Sequence, residues 1–172
     1  VLVFRIPAGS IHNDIDVVAA HVAKFEYGCN PDLTVEKLQK QGFKYICLGV
    51  GVDNGTEVKL EGDNTNLYKS LRFLRQFNDG VKMDLGEHVV VIGAGNTAMD
   101  SARAALKVPG VKQVTVLYRR TVKEMPAYQE EYEEAVEEGV QFRFLSNPER
   151  FDADGTMTVR VMKLGDAAAR GR

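Results

Sequence analysis

Residues 88–120 read HVVVIGAGNTAMDSARAALKVPGVKQVTVLYRR. The first five are a continuous apolar, β-branched run, which predicts a strand buried on both faces of a parallel sheet. Gly93-Ala94-Gly95-Asn96-Thr97-Ala98 follows with the form G-x-G-x-x-A, the pattern of a dinucleotide-binding turn. In such a turn Gly93 bends the chain without a Cβ penalty, Gly95 lets a pyrophosphate approach the backbone, and Ala98 keeps the next helix close to the strand. The helix from about residue 96 would aim its unpaired N–H groups and the positive end of its dipole at the phosphates. Ala98, Ala102, Ala105 and Leu106 give it a small apolar face, Pro109-Gly110 ends it, and 113–118 reads as a second strand. A glycine turn in another βαβ unit, including a methyltransferase-type nucleotide site, is the alternative for this stretch.

The end of the second strand bears on the choice of nucleotide. A site for NAD usually has Asp or Glu there for the ribose 2′-OH, about 20 residues past the turn. Here the residues are Tyr118-Arg119-Arg120, and two guanidinium groups favour the 2′-phosphate of NADPH. The alternative is that the arginines lie on the surface and pair with the acidic helix that follows.

Outward from this unit, 172 residues allow one ordinary domain or one domain with part of another. With 22 basic and 24 acidic residues the net charge is −2, which carries no general footprint for nucleic acid or an acidic membrane. The N-terminal apolar run is broken by Arg5 and Pro7, too early for a signal-peptide core, and no stretch reads as a membrane span. A cytoplasmic location is the default expectation. Cys29 and Cys47 lack C-x-x-C spacing, so no zinc site or iron–sulfur cluster is expected from this chain alone, and both read as reduced, partly buried thiols. His12, His21 and His88 are scattered and read as structural or surface residues. The absence of an initiator Met and the ending Ala-Ala-Ala-Arg-Gly-Arg suggest an excised piece.

Before the central unit, the pattern predicts a helix over 13–27 with Asn13 or Asp14 as cap and Ile15, Val18, Val22 and Phe25 on one face, although 25–27 could instead begin a strand. A short helix begins at 32–34 and is ended by Gly42, and 43–48 reads as a buried strand. Gly49-Val50-Gly51 with Gly55 imitates a second fingerprint. Its final spacing is one residue too long, and a strand over 56–60 stands where a helix is needed. Residues 61–66 read as a linker, and Leu67, Leu71, Leu74 and Phe77 predict a helix over 67–78 that packs on the nucleotide domain. After the arginine pair, 121–125 reads as a polar loop and Pro126 as the first turn of a helix reaching about residue 138, with Tyr128, Tyr132, Ala135 and Val136 inward. The six glutamates between 130 and 138 read as a solvated outer face, or else an acidic docking surface. A third strand over 140–145 and a hairpin over 148–151 and 157–164, turned at Asp154-Gly155, complete the chain.

GAGNTAMD, LYRR, EMPA and EEGV in succession, with FRIP and LTVEKLQKQGF upstream, resemble the NADPH domain of the glutamate synthase small-subunit family, which includes selenate reductase subunits and the flavin half of dihydropyrimidine dehydrogenase. The resemblance covers nearly the whole chain. It implies an α/β, Rossmann-like three-layer dinucleotide-binding domain with a β-meander over 62–172, and part of an FAD domain over 1–61. It further implies a flavin-dependent oxidoreductase that passes electrons from NADPH through FAD to iron–sulfur clusters and a partner subunit or domain. Gly93, Gly95, Asn96, Thr97 and Ala98 match the pyrophosphate turn, and Arg119 and Arg120 the 2′-phosphate site; no catalytic acid or base is implied, because the cofactors carry the chemistry. The chain departs from the family in lacking the fingerprint that holds the FAD phosphates and the later segments that close the flavin site, and in having Gly49-Val50 where Ala-Thr is common. The implied FAD site is therefore incomplete in this sequence. A non-catalytic nucleotide-binding or subunit-docking module is the alternative function.

Overall fold

In the computed structural model, which describes residues 2, 4–28, 31–51 and 58–165, the chain divides into two units, Val1–Asp53 and Asn54–Arg172. The first contains two helices. α1 (Ala8–Ala19) starts directly behind Pro7, whose φ of −57° already suits a helix start, so neither Asn13 nor Asp14 is its cap. It stops five residues after Asp14, and 22–27 are not helical. The face expected to be inward is exposed at Ile15, Val18, Val22 and Phe25. α2 (Val35–Lys40) begins as anticipated, with the Lys37 N–H donating to Thr34 Oγ1 at 3.3 Å, and Gly42 at φ +98° lies just beyond its end.

Residues 43–48 form no strand, and Phe43, Tyr45 and Leu48 are exposed. A strand exists through its ladder, and no described residue pairs with this segment. Cys47, expected to be partly buried, is an exposed free thiol; Cys29 lies outside the described residues.

The second unit runs β1 (Glu61–Gly62), α3 (Ser70–Asn78), β2 (His88–Ile92), α4 (Asn96–Leu106), β3 (Gln113–Leu117), a 3-10 turn at Val122–Glu124, α5 (Gln129–Glu137), β4 (Gln141–Arg143), β5 (Ser146–Phe151) and β6 (Met157–Val161). β2, β3 and β4 form a parallel sheet in that order, with His88 opposite Gln113 and Leu117 opposite Arg143. α4 packs on β2 and β3 and is flanked by α3 and α5. Its alanines bring it close to the sheet: Ala98, Met99, Ala102 and Ala105 are buried with Val114, Val116 and Leu117 of β3. This is the Rossmann-like α/β arrangement anticipated from residue 88 onward.

β2 departs from its expected burial. Only Val91 is fully buried, while His88 and Val90 are exposed. The strand stands at one edge of the sheet, so an apolar run that reads as central is covered incompletely.

The first two residues of the segment read as a linker belong to the second sheet, ordered β1-β5-β6, and 63–66 are irregular or turn. β1 pairs in parallel with β5, and Asp63 N–H donates to Phe151 O at 2.7 Å. Asn64 Nδ2 donates to Leu60 O at 2.8 Å, closing a turn that no periodicity announces. The strand expected over 56–60 lies partly outside the described residues, and 58–60 are irregular. Leu67 precedes α3 and is exposed, whereas Phe73 supplies the buried contact. The hairpin of β5 and β6 forms as anticipated, with Gly155 at φ +86° in its turn. It hangs from the end of β3: Ser146 N–H donates to Tyr118 O at 3.0 Å and Leu145 N–H to Arg120 O at 3.0 Å. Leu145 itself sits at φ +51°, the one non-glycine among the described residues in that region.

α5 begins at Gln129, three residues after Pro126, with Tyr128 as its N-cap residue. The polar loop before it is a capped turn, in which the Thr121 hydroxyl and the Glu124 carboxylate satisfy each other's backbone. Tyr132 and Ala135 point inward, Tyr132 meeting Phe142 edge to face at 4.8 Å, but Tyr128 and Val136 are exposed. Three of the six glutamates, Glu130, Glu133 and Glu137, are exposed as expected, and three are not simply solvated. Glu134 and Glu138 accept hydrogen bonds from the buried Arg103 of α4 at 2.5 and 2.7 Å, Glu131 lies 3.6 Å from the same guanidinium, and Lys107 donates to Glu138 at 2.6 Å.

Candidate functional site

The carboxyl ends of β2 and β3 lie side by side, Ile92 opposite Leu117. Gly93 N–H donates to Leu117 O at 3.0 Å, the last rung before the chain turns away. Gly93 has φ +110°, a conformation that L side chains rarely adopt, so the tight turn needs glycine here. Beyond it the backbone swings into α4, and the Ala98 and Met99 N–H groups both fold back on Gly95 O at 2.8 and 3.1 Å. The N–H groups of Ala94, Gly95, Asn96 and Thr97 donate to no acceptor among the described residues. Four adjacent unpaired donors at the start of an eleven-residue helix are the arrangement that receives an anion. Ala98 is buried against the sheet, as its proposed packing role requires.

Arg119 and Arg120 follow β3 after Tyr118, next to this turn in the sheet order. Arg119 is exposed and makes no hydrogen bond or ion pair among the described residues. Arg120 is half-buried, its carbonyl accepting from Leu145. The Thr121 hydroxyl holds the Glu124 carboxyl below the usual carboxylate range, with burial opposing it and the charge of Arg120 assisting. Arg120 therefore has a carboxylate in its field, and Arg119 is the freer cation. Among the described residues the acidic helix does not pair with Arg119 or Arg120; Glu131, Glu134 and Glu138 face Arg103 or Lys107 instead.

Residues 125–128 were not expected at the site, and the structure brings them there. Ala127 N–H donates to Ala94 O at 3.1 Å, and Tyr128 N–H donates to Asn96 Oδ1 at 2.9 Å. A Cβ on Gly95 would come 3.9 Å from Pro126 Cγ. The segment is thus strapped across the glycine turn. The only sequence signal for it was the EMPA motif, because an irregular segment has no periodicity to read. Elsewhere, a cavity of about 400 Å³ lies along β2 between Leu60, Phe73, Ser101 and Phe151, and none of the seven candidate residues lines it. His88 stands at the amino end of β2, away from the turn, and the exposed His21 has Nδ1 2.8 Å from Val17 O.

Residues 7–169 match the family described as "Pyridine nucleotide-disulphide oxidoreductase". The chain belongs to that family. Over 169 aligned residues, 98% of the chain, it is 63% identical to "Putative oxidoreductase YgfK" of Escherichia coli strain K12, and it spans 16% of that protein. It is 36% identical to the NADPH-Fe(3+) oxidoreductase subunit beta of Geobacter sulfurreducens over 98% of the chain and 26% of that subunit. It is 32% identical to the glutamate synthase [NADPH] small chain of Azospirillum brasilense over 99% of the chain and 40% of the relative. The resemblance to the glutamate synthase small subunit, first carried by a few motifs, therefore extends along the chain. The family is one of pyridine nucleotide-linked oxidoreductases, and the chain spans under half the length of each of these relatives. No described helix is long and apolar enough to cross a membrane.

Proposed function

We propose that this chain is the NADPH-binding portion of a flavin-dependent oxidoreductase that passes electrons from NADPH through FAD to iron–sulfur clusters in a partner subunit or domain. Residues 62–172 would be the NADPH domain and 1–61 part of the FAD domain. The observation that carries the reading is the pairing of four unpaired N–H groups at Ala94, Gly95, Asn96 and Thr97 with an unengaged Arg119 at the neighbouring strand end. The first group suits a pyrophosphate, and the second suits a 2′-phosphate. The names of the Geobacter and Azospirillum relatives, which specify NADPH, favour the same nucleotide.

When both cofactors are bound, the nicotinamide supplies a hydride to the flavin. The work of this chain is to bind and orient. Gly93 turns the backbone, Gly95 leaves room for the phosphates, the amides of Asn96 and Thr97 donate to them, and Ala98 holds α4 against the sheet. Arg119, with Arg120 behind it, neutralises the 2′-phosphate. The described part of Val1–Asp53 offers no comparable cradle for a flavin diphosphate: α1 follows Pro7 and α2 follows Thr34, neither preceded by a glycine turn. Flavin binding is accordingly assigned to the larger parent protein. Calorimetric titration of the chain with NADPH and with NADH, at low salt, tests the reading. Tight NADPH and weak NADH are expected; equal affinities would remove the role of the arginines, and no binding of either would remove the nucleotide site.

A further inference from the structure

We propose that the segment 125–128 is a strap that positions the phosphate-binding turn, with Asn96 as its latch, so that the side chain of Asn96 serves the strap while its backbone N–H serves the nucleotide. This rests on the nucleotide-site reading above and adds a device to it. The peptide planes of the turn are free to rotate unless something fixes their carbonyls, and an N–H aimed at a phosphate requires its neighbouring carbonyl to face the other way. The Ala94 carbonyl is fixed by the Ala127 N–H at 3.1 Å, and the Asn96 amide by the Tyr128 N–H at 2.9 Å. Pro126, lying over Gly95, has no N–H of its own to compete for an acceptor. Held in this way, the Gly95 N–H, which shares a peptide plane with the Ala94 carbonyl, is oriented before a ligand arrives, and binding then costs less ordering.

The chemistry makes a specific claim. The strap acts on the phosphate cradle that NADPH and NADH share, so loosening it weakens both nucleotides by the same factor. Arg119, by contrast, acts on NADPH alone.

Tyr128 allows a clean test because its φ of −63° is one that proline adopts, and its side chain is exposed. Tyr128→Ala removes the ring and keeps the N–H; Tyr128→Pro removes both. Titrations of the 172-residue chain with NADPH and NADH should give Tyr128→Pro about three- to tenfold weaker than Tyr128→Ala for each nucleotide, the range for one net hydrogen bond. Asn96→Ala, a substitution that favours helix at the first turn of α4, removes the same bond from its other side. Combining it with Tyr128→Pro should then add little to either alone. Tyr128→Pro equal to Tyr128→Ala, fully additive losses in the double variant, or a changed ratio of NADPH to NADH affinity would each overturn the strap while leaving the nucleotide site standing. An unmodified chain that bound neither nucleotide would overturn the site and the strap together.

Discussion

Gly95 has φ −88° and ψ 173°, a backbone that any residue adopts, and a Cβ placed on it would make only ordinary contact with Pro126. Nothing in the chain's own packing demands glycine there, unlike Gly93 with its φ of +110°. Under the proposed nucleotide site, the reason for glycine would be the close approach of a pyrophosphate. Gly95→Ala should therefore change unfolding free energy by no more than about 1 kcal/mol. It should weaken NADPH about tenfold or more, since displacing a hydrogen-bonded group costs roughly 1–3 kcal/mol. Urea unfolding and calorimetry read the two quantities separately, and unaltered binding would show that the ligand does not approach this face. Arg119 is the complementary case, exposed and unengaged. Arg119→Glu should lose a charge-assisted contact of about 1.5–3 kcal/mol to NADPH and add repulsion, with NADH unaffected. NADPH affinity within error of the unmodified chain would transfer the role to Arg120.

At the scale of elements, the strongest polar junction is between α4 and α5. Arg103 is buried with Glu131, Glu134 and Glu138 around it, so removing the guanidinium would leave three carboxylates facing one another. Arg103→Met should destabilise the chain by about 2–3 kcal/mol, below the range for fully buried pairs because Glu134 is half exposed. Urea midpoints decide it, and a loss under about 0.5 kcal/mol would mean that apolar packing replaces the charge without penalty. The same junction sets a pH dependence. Burial pushes the Glu138 carboxyl up, but hydrogen bonds from Arg103 and Lys107 outweigh it, and the net pKa lies below the ordinary value of 4.5. A depressed carboxylate contributes its stability above the unfolded pKa and loses it as pH falls through the folded one. The unmodified chain should thus lose stability as pH drops below about 4.5, with a shallower loss in Arg103→Met. Parallel profiles for the two would dissociate Glu138 from the acid transition.

Across the whole molecule the two units differ in what holds them. α4, β2 and β3 share a core in which Met99, Val114 and Val116 are fully buried, whereas neither α1 nor α2 contains a buried residue. A six-residue helix such as α2 is marginal without packing. Amide hydrogen exchange should therefore be slowest in α4 and β3 and fast throughout α1 and α2, following local burial. Protection of α1 equal to that of α4 would contradict this. The chain spans 16% of YgfK and 40% of the Azospirillum small chain, so the exposed Ile15, Val18 and Phe43 belong to a much smaller span than those relatives have.

The sequence alone determined the β2-turn-α4-β3 unit nearly to the residue. Its signals are local: β-branched runs, a glycine where φ is positive, alanines at helical spacing, and a hairpin turned at Gly155. The position of Arg119 follows from the same locality, because it is counted from a strand end. Tertiary structure decided the rest, for reasons of partnership. Residues 43–48 have strand composition but pair with no strand among the described residues, and β2 has the composition of a central strand but stands at an edge. Glu61-Gly62 has linker composition, yet pairs with a strand nearly ninety residues later. Glu131, Glu134 and Glu138 look solvated in the sequence until α4 brings Arg103 beneath them, while Glu130, Glu133 and Glu137 are exposed as that reading expects. The strap at 125–128 is irregular chain, and what gives it a role is the distance to Asn96 and Ala94, some thirty residues away in sequence and about 3 Å away in the fold.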